Sequence, residues 1–222
     1  MGDEEGEVKQ YAYVGARAEG ESKEVTAGED PKVLTQTVKL LGAREGDGEA
    51  TFPNGDTFKG AFEGGARSGS GVYTYASPPP EEGEEPKPPV ATYDGRWTGG
   101  AKSGVGMMTY ADGAKYQGTF ADGKYQGQGT MFYANGDIYT GEWSEGKKDG
   151  AGTYIFKASA TKVAGVWKMN VLESGTFTDK YGSVYKGGFS ATTTSASFVE
   201  GGEFTLCSGA TTTAIASAVP VA

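Results

Sequence analysis

A five-residue motif recurs along most of this sequence: an aromatic residue, any residue, glycine, any residue, and a second aromatic residue. Six copies can be recognised, at 58–62, 93–97, 116–120, 139–143, a degenerate 163–167 and 185–189. After a first step of 35 residues, successive central glycines lie 22 to 24 residues apart. A fixed period of this length indicates a repeat protein, in which each supersecondary unit buries its apolar face against its neighbours.

A second signature follows the first four copies and predicts hairpins. It is a Gly-x-Gly element that begins at Gly69, Gly104, Gly127 or Gly150, and aromatic residues come after it. Asp-Gly or Asn-Gly then appears at 112–113 and 135–136, and also at 54–55 in a partial first repeat. Such pairs are strong hairpin signals because both central positions of a tight turn favour φ > 0. Each repeat should therefore consist of two antiparallel strands.

The alternation of side chains within the motif predicts how the core forms. Tyr93, Gly95 and Trp97 should share one face of a strand, with Asp94 and Arg96 on the other. Glycine between two rings leaves a slot in which a ring from a neighbouring strand could lie flat. Because Tyr, Phe and Trp far outnumber Leu and Ile, the core must be built from rings. We predict an all-β fold, an elongated single-layer antiparallel meander of stacked β-hairpin repeats.

The sequence predicts three segments. Residues 1–45 should form an acidic N-terminal extension that is partly disordered or a degenerate repeat, and residues 46–205 the repeat rod. Residues 206–222 are a Thr/Ala-rich tail. Within the rod, a Pro/Glu-rich insertion at 77–89 lengthens the first step and should be a solvated, extended loop.

Composition argues against catalysis and against several classes of ligand. The chain has no histidine, its one cysteine is Cys207, and its net charge is −9. We therefore expect no catalytic residue, no cofactor, no metal site, no small-molecule substrate and no nucleic-acid partner, and membrane binding is disfavoured. We interpret a carboxylate pair such as Asp137 and Glu142 as part of a solvated face and not as a catalytic pair. An acidic N-terminus and the lack of a long apolar stretch indicate a cytosolic protein.

Taken together, the motif, the Gly-x-Gly element and the Asp/Asn-Gly turn resemble the MORN repeat. The copies around Gly165 and Gly187 resemble the weakened last repeats of the small MORN proteins of the radial spoke head. The resemblance implies a non-catalytic scaffold of the ciliary or flagellar axoneme that binds other spoke head subunits and contributes to motility. The alternative that it leaves open is a peripheral membrane adaptor that binds phosphoinositides.

Two groups of residues are candidates for binding a partner. The first consists of large rings of the central repeats, which could be core residues, interface residues or both. These are Tyr93, Trp97, Tyr116, Phe120, Tyr139 and Trp143. The second consists of basic residues that should lie in the turn between the two strands of a repeat, along one edge. These are Arg67, Lys102, Lys124 and Lys148. They could protect the edge from aggregation or dock an acidic partner.

Overall fold

The structure is a computed structural model that describes residues 12–18, 22–25, 36–39, 43–80, 83, 85, 87–191, 196–199, 201–213 and 218–219. These residues form strands, turns and irregular segments and contain no helix. By its contacts the chain divides into two compact units, Met1–Lys102 and Ser103–Ala222. The predicted fold class, all-β with antiparallel hairpins in meander order, is confirmed.

The described residues of the first unit form an antiparallel meander and one separate hairpin. The strands are β1 (Ala12–Arg17), β2 (Ser22–Val25), β3 (Gln36–Lys39), β4 (Arg44–Thr51), β5 (Thr57–Glu63), β6 (Ala66–Tyr75) and β7 (Ala91–Thr98). β1 pairs with β4, and β4 to β7 then pair in chain order. β2 and β3 pair with each other.

The described residues of the second unit also form an antiparallel meander. Its first strand begins two residues before the boundary between the units. The strands are β8 (Ala101–Tyr110), β9 (Lys115–Ala121), β10 (Lys124–Phe132), β11 (Ile138–Ser144), β12 (Lys147–Phe156), β13 (Thr161–Lys168), β14 (Val171–Thr178), β15 (Val184–Ala191), β16 (Ala196–Phe198), β17 (Glu203–Thr205), β18 (Thr211–Thr213) and β19 (Ala218–Val219). β8 to β15 pair in chain order. β15 then pairs with both β16 and β17, which pair with β19 and β18.

Glycine faces glycine wherever these meander strands pair at one level of the sheet. In the first unit the row consists of Gly15, Gly48, Gly60, Gly71 and Gly95. In the second unit it consists of Gly106, Gly118, Gly129, Gly141, Gly152, Gly165, Gly175 and Gly187. A Cβ added at Gly118 would lie 2.5 Å from the Gly129 Cα and 2.6 Å from the Tyr116 hydroxyl. The row therefore excludes side chains because two backbones and a ring already meet there.

The ring that covers a glycine pair comes from the same strand as the first glycine. Tyr116 lies over Gly118 and Gly129, and its hydroxyl donates a 3.1 Å hydrogen bond to the Thr119 carbonyl. Tyr139 covers the next glycine pair in the same way and bonds to the Glu142 carbonyl. The expectation that a neighbouring strand supplies the ring was wrong for the central glycine of the motif, such as Gly118, although it holds for the glycine paired with it, Gly129. Because Gly118, two residues after Tyr116, has no side chain, the tyrosine ring can lie along its own strand. Its hydroxyl then reaches a backbone carbonyl of that strand.

Alternation gives each unit two distinct faces. We call the face that carries Tyr93 in the first unit, and Tyr116 and Tyr139 in the second, the ring face. The opposite face, which carries Asp94 in the first unit and Gln117 and Thr140 in the second, is the open face. The core residues of both units lie on the ring face, where Tyr93, Tyr116 and Tyr139 are fully buried.

The two glycines of each Gly-x-Gly element have different roles. Gly129 belongs to the glycine row, whereas Gly127 has a φ of 67° and lies where the pairing of β9 with β10 is irregular. Residues 118 and 120 face residues 129 and 125, so β10 carries two extra residues. The left-handed conformation at such a bulge favours glycine. Gly69, Gly104 and Gly150 have positive φ in the corresponding places, at 65°, 59° and 106°.

The tight two-residue turns do not lie at the Asp-Gly and Asn-Gly pairs, where they were predicted. They lie at the other end of the strands. At 135–136 only Gly136 has positive φ, and bonds from Gly136 N to Tyr133 O and from Tyr133 N to Asp137 O close a longer loop. Such a loop combines a type I turn with one left-handed residue. The two-residue turns with φ > 0 at both positions join the strands within a repeat, as at Asp122 (47°) and Gly123 (80°).

The described parts of the two end segments contain strands, and the described part of the insertion contains none. β1 lies within 1–45, and Tyr13 covers Gly15 and Gly48 as other tyrosines do, a pattern that the sequence analysis missed. Pro78 to Pro80 of the insertion are exposed, and β18 lies within the predicted tail. The predictions for residues 1–11, 19–21, 26–35, 40–42, 81–82, 84, 86, 192–195, 200, 214–217 and 220–222 lie outside the described residues.

Replacing Gly118 with Ala should destabilise the protein by about 2 kcal/mol or more, since the new methyl overlaps backbone and ring. The matched control is Gly188→Ala, also in a strand, where an added Cβ would meet its nearest atom, on Val199, at an ordinary 3.4 Å. Gly123 is a poorer control because its φ of 80° penalises any side chain. Chemical denaturation measures both variants, and equal losses would contradict the glycine-row model.

Candidate functional site

The rings proposed as partner-binding residues are part of the core. Tyr93, Tyr116 and Tyr139 have no exposed surface, and the other three, Trp97, Phe120 and Trp143, are each at most 5% exposed. Within a strand the rings pack edge to face, as for Tyr139 and Trp143, whose centroids lie 5.1 Å apart at 89°. Such pairs contribute about 0.5–1.5 kcal/mol beyond the burial of their area. Core packing accounts for these positions, and direct contact with a partner stays a prediction.

Tryptophan side chains link one hairpin to the hairpin before it. The Trp97 indole N–H donates to the Gly71 carbonyl at 3.0 Å, and the Trp143 N–H donates to the Gly129 carbonyl at 3.1 Å. Trp143 also packs edge to face on Tyr116, with centroids 5.4 Å apart. Each acceptor belongs to the glycine row, where the close backbone leaves a carbonyl within reach of the indole. Successive repeats are therefore joined by side chains as well as by strand pairing.

Three of the four basic candidates lie over the ring face and not in turns. Arg67, Lys102 and Lys148 are the second residues of β6, β8 and β12. The Arg67 guanidinium carbon lies 4.4 Å from the centroid of Trp97. Its Nη2 donates a 2.7 Å hydrogen bond to the carbonyl of Gly100, in the next tight turn. The prediction was wrong for these three because the turn occupies only two residues, so the strand has already resumed when the cation is reached.

The lysines differ in what they contact. The Lys102 Nζ donates to the Tyr75 hydroxyl at 3.0 Å. The Lys148 Nζ lies 4.5 Å from the Trp167 ring centroid and 4.9 Å from that of Tyr154, which are cation–π distances. Lys124 is the first residue of β10, is exposed, and forms an ion pair with Glu145. Both interpretations, edge protection and acidic docking, thus stay open for Lys124, whereas Arg67, Lys102 and Lys148 are engaged on the ring face.

Rings, glycines and cations in this arrangement correspond to a known sequence family. The family model described as MORN repeat matches residues 58–77, 93–115, 116–138 and 139–159. Four segments of the chain therefore match the MORN repeat. No curated protein was found to match it. The copies centred on Gly165 and Gly187 lie outside the matched segments, although β13 and β14 form a hairpin like those of the MORN repeats.

Sequence analysis missed two residues that occupy the position of Arg67 in other hairpins. Arg44 precedes the first MORN repeat, lies 5.0 Å from the Phe62 centroid, and donates to the Gly65 carbonyl at 2.7 Å. In the MORN repeat at 116–138 the position holds Tyr125, which stacks on Tyr116 at 3.7 Å. The spacing could have identified both residues, because Arg44 and Tyr125, like Arg67, stand two positions before a Gly-x-Gly element.

Buried carboxylates close the loops between hairpins. Asp137 is 4% exposed, and its Oδ2 and Oδ1 accept hydrogen bonds from the Tyr154 hydroxyl at 3.0 Å and the Lys157 N–H at 2.8 Å. Asp56 accepts the corresponding bonds from Tyr73 and Ala76. The interpretation of Asp137 as part of a solvated face was therefore wrong. Its carboxylate holds one hairpin of the MORN repeats to the next strand.

Burial shifts the protonation of groups on the ring face. Loss of water raises the pKa of Tyr73 to about 12, to which the hydrogen bond with Asp56 also contributes, and raises that of Tyr93 to about 12. The same desolvation lowers the pKa of Lys148 to about 8. In each case removal from water favours the neutral form. Within the described residues, no helix could span a membrane, and no cluster of three His, Cys, Asp or Glu residues could hold a metal ion.

Replacing Lys148 with Met should flatten the pH dependence of stability on the alkaline side of neutrality. The folded pKa of about 8 lies below the ordinary value of 10.5. Between these values the unfolded chain binds more protons than the folded one, so this lysine makes the unfolding free energy rise with pH. Lys148→Met removes that contribution. Urea unfolding at about pH 7 and about pH 9.5 measures the difference.

The control for this experiment is Lys124→Met, because Lys124 is exposed and forms an ion pair with Glu145. Its unfolding free energy should follow that of the wild type across the same pH range. If Lys148→Met and the wild type showed the same rise, the ammonium would not be desolvated by the rings in solution.

Proposed function

We propose that this protein is a non-catalytic scaffold that binds other proteins as a subunit of an axonemal complex, with the radial spoke head as the leading candidate. The MORN repeat is an interaction module and not a known enzyme family, and four copies are present. The more specific assignment is supported by the resemblance of the copies around Gly165 and Gly187 to the last repeats of spoke head MORN proteins. The expected place of action is the axoneme of a cilium or flagellum.

The observation that carries the proposal is the unequal use of the two sheet faces. The rings and three of the four basic candidates are engaged on the ring face. The open face displays side chains in rows fixed by strand pairing, and Val105, Val166 and Phe132 are exposed there. A hydrogen-bonded sheet that displays side chains in regular rows suits the binding of protein subunits, because little conformational entropy is lost when they associate.

The alternative, a peripheral membrane adaptor that binds phosphoinositides, requires cations that can reach lipid headgroups. Arg67 already donates to the Gly100 carbonyl, and Lys102 to the Tyr75 hydroxyl. The net charge of −9 also opposes approach to an anionic surface. These contacts favour the protein scaffold over the membrane adaptor.

Affinity purification of the tagged protein from ciliated cells tests the proposal. We expect other axonemal subunits, and radial spoke head proteins among them, to be recovered with it. Gly188→Ala, which should fold normally, provides a matched positive control, and Gly118→Ala reports dependence on the folded repeats. A second assay uses liposomes that contain phosphoinositides. Binding to these liposomes together with recovery of membrane proteins alone would favour the adaptor and contradict the scaffold.

A further inference from the structure

On the open face of the second unit, one row of side chains is not explained by the core. Its members lie on five adjacent strands, β9 to β13, and each is paired with the next. We call this row the open-face patch. In order, it consists of Lys115, Phe132, Ile138, Ile155 and Lys162. Three apolar side chains thus stand side by side, with a lysine at each end.

Elsewhere at the same level, the open face mostly carries threonine. Thr109 and Thr178 flank the open-face patch on β8 and β14. In the first unit, the corresponding row from β4 to β7 consists of Thr51, Thr57, Thr74 and Thr92. Threonine suits a strand whose side chain faces water. The sheet therefore does not require large apolar residues at this level, and the open-face patch calls for another explanation.

Two of the three apolar members of the open-face patch are exposed, and the third, Ile138, is half-buried. Phe132 is 40% exposed and Ile155 is 42% exposed. Because adjacent strands lie about 4.8 Å apart, the three side chains form one continuous apolar surface, and such surfaces mark interfaces. An open cavity of about 440 Å³ adjoins the open-face patch at Ile155 and Lys162. It offers room for part of a partner side chain.

The charge at the open-face patch is positive although the whole chain carries a net charge of −9. Lys115 and Lys162 are exposed, and within the described residues neither has an ion-pair partner. Lys157 lines the same cavity, as does Asp179. The Asp179 carboxylate accepts hydrogen bonds of 2.8 Å from two backbone N–H groups of its own loop. Four strand spacings separate Lys115 from Lys162, or about 19 Å.

We infer that the open-face patch docks a segment of a partner protein whose apolar side chains lie between two acidic groups about 19 Å apart. The inference rests on the proposed scaffold function and identifies a surface and a partner chemistry for it. The lysines match the acidic groups, and the phenylalanine and isoleucines match the apolar centre. A second copy of this chain fits less well, since stacking two such patches would bring lysines together.

A synthetic octapeptide can stand in for the partner. It has a central Leu-Ile-Trp-Leu segment and an Asp-Glu pair at each end, so that in extended form two carboxylates six residues apart share one face and are about 20 Å apart. Fluorescence anisotropy of the labelled peptide should show saturable binding to the full-length protein that weakens as salt rises. A peptide with Lys-Lys at both ends should bind at least tenfold more weakly. Absence of binding, or equal binding of both peptides, would overturn the proposal.

Two variants test which residues form the surface. Phe132→Thr/Ile138→Thr/Ile155→Thr installs the residue that the same row carries elsewhere, and Lys115→Glu/Lys162→Glu reverses the flanking charges. Each should weaken peptide binding at least tenfold while circular dichroism and the thermal midpoint stay close to wild type. Lys168→Glu is the control, since Lys168 is an exposed lysine at the other end of β13. Wild-type affinity in the threonine variant would refute the assignment.

Failure of this inference can be told apart from failure of the scaffold proposal. If the wild type and the threonine variant recovered the same subunits from ciliated cells, the scaffold function would stand and the open-face patch would be wrong. If the wild type self-associated in sedimentation experiments and the threonine variant did not, the occupant would be a second copy, which also contradicts the proposal. Loss of particular subunits with the threonine variant would support it.

Discussion

Backbones of adjacent strands approach each other closely beneath an aromatic ring, and this contact sets the other features of the fold. Between Gly118 and Gly129 there is no space for a Cβ on either strand. The ring of Tyr116 lies over both glycines and covers the polar backbone, and its hydroxyl donates a hydrogen bond to a carbonyl of its own strand. The same approach leaves the Gly129 carbonyl within reach of the Trp143 indole, which belongs to the following hairpin. One small residue in each strand thus permits both packing within a repeat and attachment between repeats.

Cations pack on the ring face because the negative face of an aromatic ring attracts a positive charge. Hydrocarbon side chains do not make this cation–π interaction. Arg67 combines stacking over Trp97 with a hydrogen bond to the carbonyl of a tight turn, which leaves that guanidinium with polar and aromatic partners at once. Lys148 packs against the rings of Tyr154 and Trp167. The loss of water at this position lowers the pKa of Lys148 to about 8. The basic residue before Gly-x-Gly is therefore half-buried and engaged on the ring face.

The period and the alternation of residues were sufficient to predict strands, hairpins and a core of rings. Turn geometry could not be obtained in this way, since Asn135-Gly136 and Asp122-Gly123 look alike as dipeptides but belong to loops of different length. The orientation of Arg67 was also hidden, because two extra residues at the bulge around Gly69 set which strand positions face each other. Asp137 was assigned to solvent because its phenol and backbone donors become its neighbours only when distant segments pair.

Repetition constrains the ring face much more strongly than the open face. A substitution at Gly118 or Tyr116 disturbs contacts that recur in neighbouring hairpins, whereas an open-face side chain has only its row neighbours to satisfy. The first unit fills one open-face row with threonine from Thr51 to Thr92, and the second interrupts the corresponding row with Phe132, Ile138 and Ile155. The same backbone can therefore carry different surfaces without a change in its core. In the scaffold that we propose, the open-face rows would set partner choice, and the glycines and rings would maintain the geometry that displays those rows.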